Sequence, residues 1–172
     1  MRLKLWKSTA SIISGTRILA APLFFYAVKH NLEVWAIGLW LFACVTDAAD
    51  GYVARHTQST SNFGAYLDMT ADFVFIFAAF TALVQMGIYP GWLLLIVGGM
   101  FGQFLLTSKQ RRLVYDPIGK YYGAILFVAI GVTLLLPDFA VQYTVLISII
   151  CLTGASLLSR WGLTSQFRKP TK

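Results

Sequence analysis

Charged residues are scarce in this sequence, and their scarcity excludes most classes of protein. Only 12% of the 172 residues are charged, whereas 58% are hydrophobic, and the mean hydropathy is +0.69. A soluble domain usually carries about 25% charged residues, so an ordinary soluble fold is excluded. Several apolar stretches reach the roughly 20 residues that a helix needs to cross a bilayer. We therefore expect an all-α polytopic membrane protein whose residues 1–172 form a single domain.

Cysteine and sequence repetition are also nearly absent. The two cysteines, Cys44 and Cys151, lie inside apolar stretches, so we expect free thiols that are buried as small hydrophobic groups. The chain has no low-complexity segment and no clear internal repeat. A basic amino-terminal stretch precedes an apolar run, but no convincing small-residue cleavage site follows it. We therefore do not expect this stretch to be a removable signal peptide.

Hydropathy and turn residues divide the chain into six predicted transmembrane helices. Their approximate limits are 11–29, 33–54, 62–86, 91–109, 118–136 and 140–160. Residues 2–9 are predicted to form a short N-terminal interfacial helix on the membrane surface. Most basic residues fall on one side of this arrangement, which explains the net charge of +7 without a nucleic-acid partner. Because cytoplasmic loops are enriched in Lys and Arg, we expect a protein of the cell (plasma or inner) membrane whose termini and active site are both cytoplasmic.

Acidic residues are fewer still, and four of the seven lie within predicted spans. Asp47 and Asp50 are three residues apart, and Asp68 and Asp72 are four apart, so each pair shares one helical face. An ionised Asp at the centre of a span costs about 2.5–3.5 kcal/mol on insertion scales, so a bound cation is expected to compensate them. The second and third spans are antiparallel, and the two pairs are expected to meet at similar depth near the cytoplasmic side. Four oxygen donors suit Mg²⁺, Mn²⁺ or Ca²⁺ better than zinc.

Small and basic residues extend this acidic pattern. Gly51, Ala54 and Gly64 leave room either for a ligand or for close helix packing, and Arg55 either binds a phosphate or anchors the membrane boundary. The full stretch is Asp47-Ala-Ala-Asp50-Gly51-Tyr-Val-Ala54-Arg55, then eight residues, then Gly64-Ala-Tyr-Leu-Asp68-Met-Thr-Ala-Asp72. It resembles the signature of the CDP-alcohol phosphatidyltransferase family, D-x2-D-G-x2-A-R-x8-G-x3-D-x3-D, at every fixed position.

This resemblance implies a reaction and a role for each residue of the signature. The reaction is transfer of a phosphatidyl group from a CDP-lipid, either CDP-diacylglycerol or an ether-lipid analogue, to an alcohol, with release of CMP. By resemblance, Asp47, Asp50 and Asp68 ligate metal, and Asp72 contacts a second metal and acts as general base. The spacing alone does not separate base from ligand at Asp72. The implied CDP-binding residues are Asp47, Asp50, Gly51, Ala54, Arg55, Gly64 and Asp68. The implied cofactors are two divalent ions, Mg²⁺ or Mn²⁺, and the implied assembly is a homodimer.

Basic residues near the predicted cytoplasmic mouth bear on the identity of the acceptor alcohol. Lys109, Arg111 and Arg112 end the fourth span, and Lys120 begins the fifth. Together they suit a phosphate-bearing acceptor, although each one alone is equally explained by the charge bias of cytoplasmic loops. The Lys109-Gln-Arg111 spacing resembles the inositol-phosphate branch of the family, and Gly119-Lys120 resembles the glycerophosphate branch. We favour glycerol 3-phosphate, and the alternative is inositol phosphate or another polar alcohol as acceptor.

Two further questions are left open by the residues. Arg17 carries a charge inside the first span, where a carboxylate or a substrate phosphate is a candidate partner and snorkelling toward the inner interface is a third possibility. A membrane cation transporter is the alternative functional class, because it also places carboxylates in a bilayer. Clustering of the four aspartates near one side of the membrane argues against a continuous pore.

Overall fold

Six α-helices make up the described part of the chain. The computed structural model describes the backbone of residues 2–57, 62–109 and 117–166, and the side chains of residues 15–49, 69–103 and 121–158. The helices are α1 (Arg2–Lys29), α2 (Glu33–Thr57), α3 (Asn62–Gln85), α4 (Leu93–Lys109), α5 (Pro117–Leu135) and α6 (Phe139–Gln166). The described residues contain no strand, so the all-α prediction is confirmed. Each of the last five predicted spans coincides with one of these helices.

The amino-terminal segment differs from the prediction. The residues expected to form a separate interfacial helix, 2–9, are continuous with the first span in α1. The stretch that joins them, 8–14, contains neither glycine nor proline, so its backbone can continue the helix without a break. The prediction of a separate amino-terminal helix is therefore wrong.

Two connections reverse the chain through the same backbone motif. After α1, the Leu32 N–H donates to the Ala27 carbonyl at 2.9 Å, across Asn31, which has a φ of 55°. After α3, Gly87 takes the equivalent position with a φ of 76°, and the next amide donates back to α3 at 3.0 Å. These are Schellman motifs, in which a left-handed residue after the last helical turn is usually Gly or Asn. Both helices therefore end at residues whose chemistry permits the reversal.

Helix α1 packs against both α2 and α3, and this arrangement positions the site described below. Helix α5 contacts α2, α3 and α6, whereas α4 packs on α3. Fully buried side chains in this core include Phe24 of α1, Phe75 and Phe80 of α3, and Ile130 of α5. The contacts of α1 hold residues from three separate helices at fixed relative positions.

Large hydrophobic side chains occupy much of the outer surface. Val34, Leu95, Val128 and Phe139 are between 61% and 83% exposed, whereas soluble monomers rarely expose large contiguous apolar patches. Within the described residues, one helical segment, Phe139–Leu158, is long and apolar enough to cross a bilayer, and only 17% of its apolar window is buried. Shorter apolar segments in α3, α4 and α5 are Met69–Gln85, Leu93–Gln103 and Tyr121–Leu135. This exposed surface favours an apolar environment over water.

Both cysteines are free, as expected. Cys44 is partly buried on α2, but Cys151 is exposed on α6. The prediction that both thiols are buried is therefore wrong for Cys151, because α6 packs chiefly on α5 and leaves its opposite face outward.

A tryptophan fills the space beside Gly131 where α2 meets α5. The Trp40 indole N–H donates to the Phe127 carbonyl at 2.9 Å, and a Cβ added at Gly131 would lie 2.0 Å from the Trp40 ring. Because the ring is rigid and held by this bond, we expect Gly131→Ala to destabilise the protein by about 1–3 kcal/mol. The measurement is the thermal unfolding midpoint of the detergent-solubilised protein.

The matched control for this substitution lies on the same helix. An added Cβ at Gly123 meets no atom of the described residues within 4 Å, so Gly123→Ala is expected to be neutral or to stabilise by up to about 1 kcal/mol. An unchanged midpoint for Gly131→Ala would contradict the observed packing of α2 on α5.

Candidate active site

Helices α2 and α3 each carry two of the four aspartates. Asp47 and Asp50 lie in α2, and Asp68 and Asp72 lie in α3. Both helices are continuous through these positions, so each pair lies about one helical turn apart. The side chains of Asp47 and Asp72 belong to the described residues, whereas those of the other two aspartates do not.

A buried arginine of α1 joins α2 to α3. Arg17 is 0% exposed, and its Nη1 donates to Asp47 Oδ1 at 3.2 Å and also to Asp72 Oδ1. A buried charge is tolerated when it is paired and hydrogen-bonded, and these carboxylates supply that pairing. Of the possibilities that the sequence left open for Arg17, the structure shows pairing with carboxylates.

The two carboxylates are more accessible than the arginine that holds them. The Asp47 side chain is 51% exposed and that of Asp72 is 26% exposed, whereas the Arg17 side chain is 0% exposed. A ligand approaching from the surface can therefore reach both carboxylates without contacting the guanidinium. Asp72 is the more enclosed of the two acids.

Buried alanines accompany each of the three charged residues. Ala21 lies one turn after Arg17, Ala43 lies one turn before Asp47, and Ala71 directly precedes Asp72. They are 1%, 0% and 0% exposed, respectively. Small side chains let helix backbones approach closely. Such packing of α1 against α2 and α3 allows one arginine to reach carboxylates on both helices.

The remaining predicted site residues lie where side chains are not described. Those within helices are Asp50, Gly51, Ala54 and Arg55 of α2, Gly64 and Asp68 of α3, Lys109 of α4 and Lys120 of α5. Arg111 and Arg112 lie outside the described residues altogether. Among the described side chains, no group of three or more candidate metal ligands occurs. The roles of these residues therefore stay predictions.

The observed donor chemistry fits a divalent cation. Asp47 and Asp72 already converge on a positive group, the Arg17 guanidinium, so this position of the fold favours positive charge. Two further aspartates occupy adjacent turns of the same helices. Carboxylate oxygens are the ligands that Mg²⁺ and Mn²⁺ prefer, so the residues present are compatible with such ions.

The sequence match to a known family covers this whole region. The model of the family described as CDP-alcohol phosphatidyltransferase matches residues 7–157, which include Arg17 and all four aspartates. The chain belongs to the CDP-alcohol phosphatidyltransferase family. Membership confirms the resemblance that the aspartate signature indicated.

Curated relatives carry names within this family. The chain is 39% identical to the CDP-diacylglycerol–glycerol-3-phosphate 3-phosphatidyltransferase of Bacillus subtilis (strain 168) over 86 residues, which cover 50% of this chain and 42% of the relative. It is 33% identical to the protein of the same name from Pseudomonas fluorescens over 107 residues, or 59% and 53% of the two chains. It is 32% identical to a probable phosphatidylglycerophosphate synthase of Mycobacterium tuberculosis (strain ATCC 25618 / H37Rv) over 96 residues, or 51% and 45%. The chain spans about half the length of the curated relatives it matches.

Proposed function

We propose that this chain transfers a phosphatidyl group from a CDP-lipid to glycerol 3-phosphate and releases CMP. The observation that carries the proposal is the convergence of two signature aspartates, Asp47 and Asp72, across three packed helices onto buried Arg17. Membership of the CDP-alcohol phosphatidyltransferase family supports the reaction class. The glycerol 3-phosphate acceptor is supported by the names of the relatives from Bacillus subtilis and Pseudomonas fluorescens.

The proposed reaction forms one phosphorus–oxygen bond and breaks another. The acceptor hydroxyl oxygen attacks the phosphorus nearer the lipid, and the bridging oxygen of the pyrophosphate leaves with CMP. We assign the hydroxyl proton to the Asp72 carboxylate, which is partly exposed and therefore accessible to an acceptor. Two ions of Mg²⁺ or Mn²⁺, held by Asp47, Asp50, Asp68 and Asp72, would stabilise negative charge on the pyrophosphate oxygens.

The substrate contacts in this proposal come from the signature and from the basic residues of α4 and α5. The nucleotide would lie against Gly51, Ala54, Arg55 and Gly64, together with the α2 and α3 carboxylates. The acceptor phosphate would be bound by Lys109, Arg111, Arg112 and Lys120. Arginine and lysine suit these positions because both form charge-assisted hydrogen bonds with phosphate oxygens.

We further propose that residues 1–172 form one membrane domain in which all six helices cross the bilayer. The exposed apolar surface of α6 and the bias of basic residues toward one side support this arrangement, with cytoplasmic termini and active site. Labelling of single cysteines at His30 and Lys172 in a Cys44→Ala, Cys151→Ala background tests it in sealed vesicles. Labelling of both positions from the same side would refute the orientation.

The homodimer, proposed from family resemblance, is tested by sedimentation in detergent.

Acceptor specificity is the direct test of the proposed function. The purified protein, supplied with Mg²⁺ and CDP-diacylglycerol, is expected to release CMP with glycerol 3-phosphate at least about tenfold faster than with inositol 1-phosphate, inositol or serine. A site built to pair a particular substrate group discriminates strongly against analogues that lack or misplace it. A parallel assay with a CDP-linked ether lipid distinguishes the two donor classes.

Each other outcome of this assay has a distinct meaning. Faster CMP release with inositol 1-phosphate would assign the inositol-phosphate branch of the family. No CMP with any acceptor and either donor would refute the proposed reaction. If the protein released no CMP but carried divalent metal across liposome membranes, the cation-transporter alternative would replace the proposed reaction.

A further inference from the structure

Arg17 contacts one oxygen atom of each of two carboxylates in the candidate active site. Its Nη1 donates to Oδ1 of both Asp47 and Asp72, and these acids lie 30 and 55 residues away in the chain. Since Arg17 contacts Oδ1 of each carboxylate, Oδ2 of each is the oxygen that we expect to bind a metal ion or an acceptor hydroxyl. We propose that Arg17 is a positioning residue that orients both carboxylates in this way. The inference rests on the proposed function.

Because Arg17 is buried, it supports the carboxylates and does not itself contact substrate or metal. Its side chain is 0% exposed, whereas both carboxylates are partly exposed, so a ligand meets the acids and not the guanidinium. The guanidinium is planar and remains charged at any physiological pH. It therefore holds the carboxylates with a charged hydrogen-bond donor whose position is fixed by α1. Catalytic groups lose much of their effect when they are displaced by as little as 1 Å, so this orientation is expected to govern turnover.

The positive charge of Arg17 has a second effect, on metal affinity. A guanidinium bound to two metal-binding carboxylates repels a divalent ion at the same carboxylates, and Coulomb interactions are strong in partly buried sites. Removing Arg17 also frees two aspartate side chains, but each has only two rotatable bonds, so the entropic loss on metal binding is small. The electrostatic effect is therefore expected to dominate. A neutral residue at position 17 should raise metal affinity while it lowers turnover.

The test compares Arg17→Gln, Arg17→Lys and a distant control, Lys29→Gln, with the unaltered protein. Binding of Mn²⁺ to the full-length detergent-solubilised protein, without CDP-lipid, is followed by electron paramagnetic resonance. CMP release is measured separately at saturating Mg²⁺, so that metal occupancy does not limit the rate. Lys29→Gln removes the same formal charge from the exposed far end of α1, about 18 Å along the helix. Circular dichroism and size exclusion confirm that each variant is folded.

The expected results separate charge from geometry. Arg17→Gln should bind Mn²⁺ about tenfold more tightly and lower kcat about 10²-fold, with a much smaller change in KM for the CDP-lipid. Arg17→Lys keeps the charge but not the planar fork, so its Mn²⁺ affinity should stay within about threefold of the parent while kcat still falls at least about tenfold. Lys29→Gln should match the unaltered protein in both assays.

Two results would overturn the inference. One is a folded Arg17→Gln protein whose Mn²⁺ affinity is unchanged or weaker. That result is expected if Arg17 only supports the structure of the site and its charge does not affect metal binding. The other is unchanged kcat in a folded Arg17→Gln protein. If the unaltered protein binds Mn²⁺ but releases no CMP with any acceptor, the proposed reaction fails, and the metal-binding comparison still tests the electrostatic role of Arg17.

Discussion

Replacement of Asp72 by asparagine is expected to lower the rate of CMP release about 10³-fold while the protein stays folded. Asparagine has nearly the same shape but cannot accept a proton as a carboxylate does, and general base catalysis contributes about 10²–10⁴-fold. The asparagine side chain still has an oxygen that can accept the hydrogen bond from Arg17 Nη1, so the link between α1 and α3 is preserved. The measurement is acceptor-dependent CMP release at saturating Mg²⁺.

The matched control for this substitution is Asp138→Asn. Asp138 precedes α6, and its Oδ1 accepts a bond from the Ala140 N–H at 3.4 Å. Asparagine and aspartate cap helix amino termini about equally well, so activity and stability should both be unchanged. Retention of more than about a tenth of the activity by Asp72→Asn would show that Asp72 is not the base. Recovery of the Asp72→Asn rate at high Mn²⁺ would instead assign Asp72 as a ligand only.

Removal of divalent metal is expected to abolish CMP release without unfolding the helices. In the proposed reaction, four aspartates of two consecutive helices that both pack on α1 would bind Mg²⁺ or Mn²⁺, and the charge of these ions would offset that of the pyrophosphate. The fold depends instead on the buried apolar core, and Arg17 already pairs with Asp47 and Asp72. Activity should therefore return when Mg²⁺ or Mn²⁺ is added back.

This experiment measures CMP release and helical circular dichroism on the same sample. A chelator is added in excess, removed by dialysis, and replaced by each metal in turn. Undiminished CMP release in excess chelator would contradict the proposed metal dependence. Loss of the helical signal in chelator would show that the protein needs a bound metal to stay folded. Pairing of the carboxylates with Arg17 would then be insufficient to stabilise the fold.

The helices and most of their limits follow from the local sequence. Long apolar runs predict helices, because a backbone that cannot bond to water satisfies its own N–H and C=O groups in a helix. Short polar segments mark the ends of these helices. The break after α1 contains Asn31, and the break after α3 contains Gly87, which are the residues that take a positive φ. Pro117 begins α5, as expected for a proline at a first helical position. These features depend on local chemistry, which the sequence contains in full.

The aspartate signature was also readable from the sequence, because its information lies in the spacing of a short segment. Residues three or four apart in a helix share a face whatever the rest of the fold does. The family match over residues 7–157 confirmed the resemblance that this spacing carried. The roles of the individual aspartates stay predictions, since they depend on substrates and on side chains outside the described residues.

The contacts of Arg17 and the identity of the outward-facing surfaces became clear from the packing of the helices. Its partners, Asp47 and Asp72, come from two other helices, whereas its position in the sequence was compatible with a carboxylate partner, a phosphate partner or snorkelling to the interface. The packing of Trp40 over Gly131 and the exposure of Cys151 were equally unforeseen. The physical reason is the same in each case. Helices that are apolar on every side carry no periodic pattern that tells an inward face from an outward one, so packing between helices decides it.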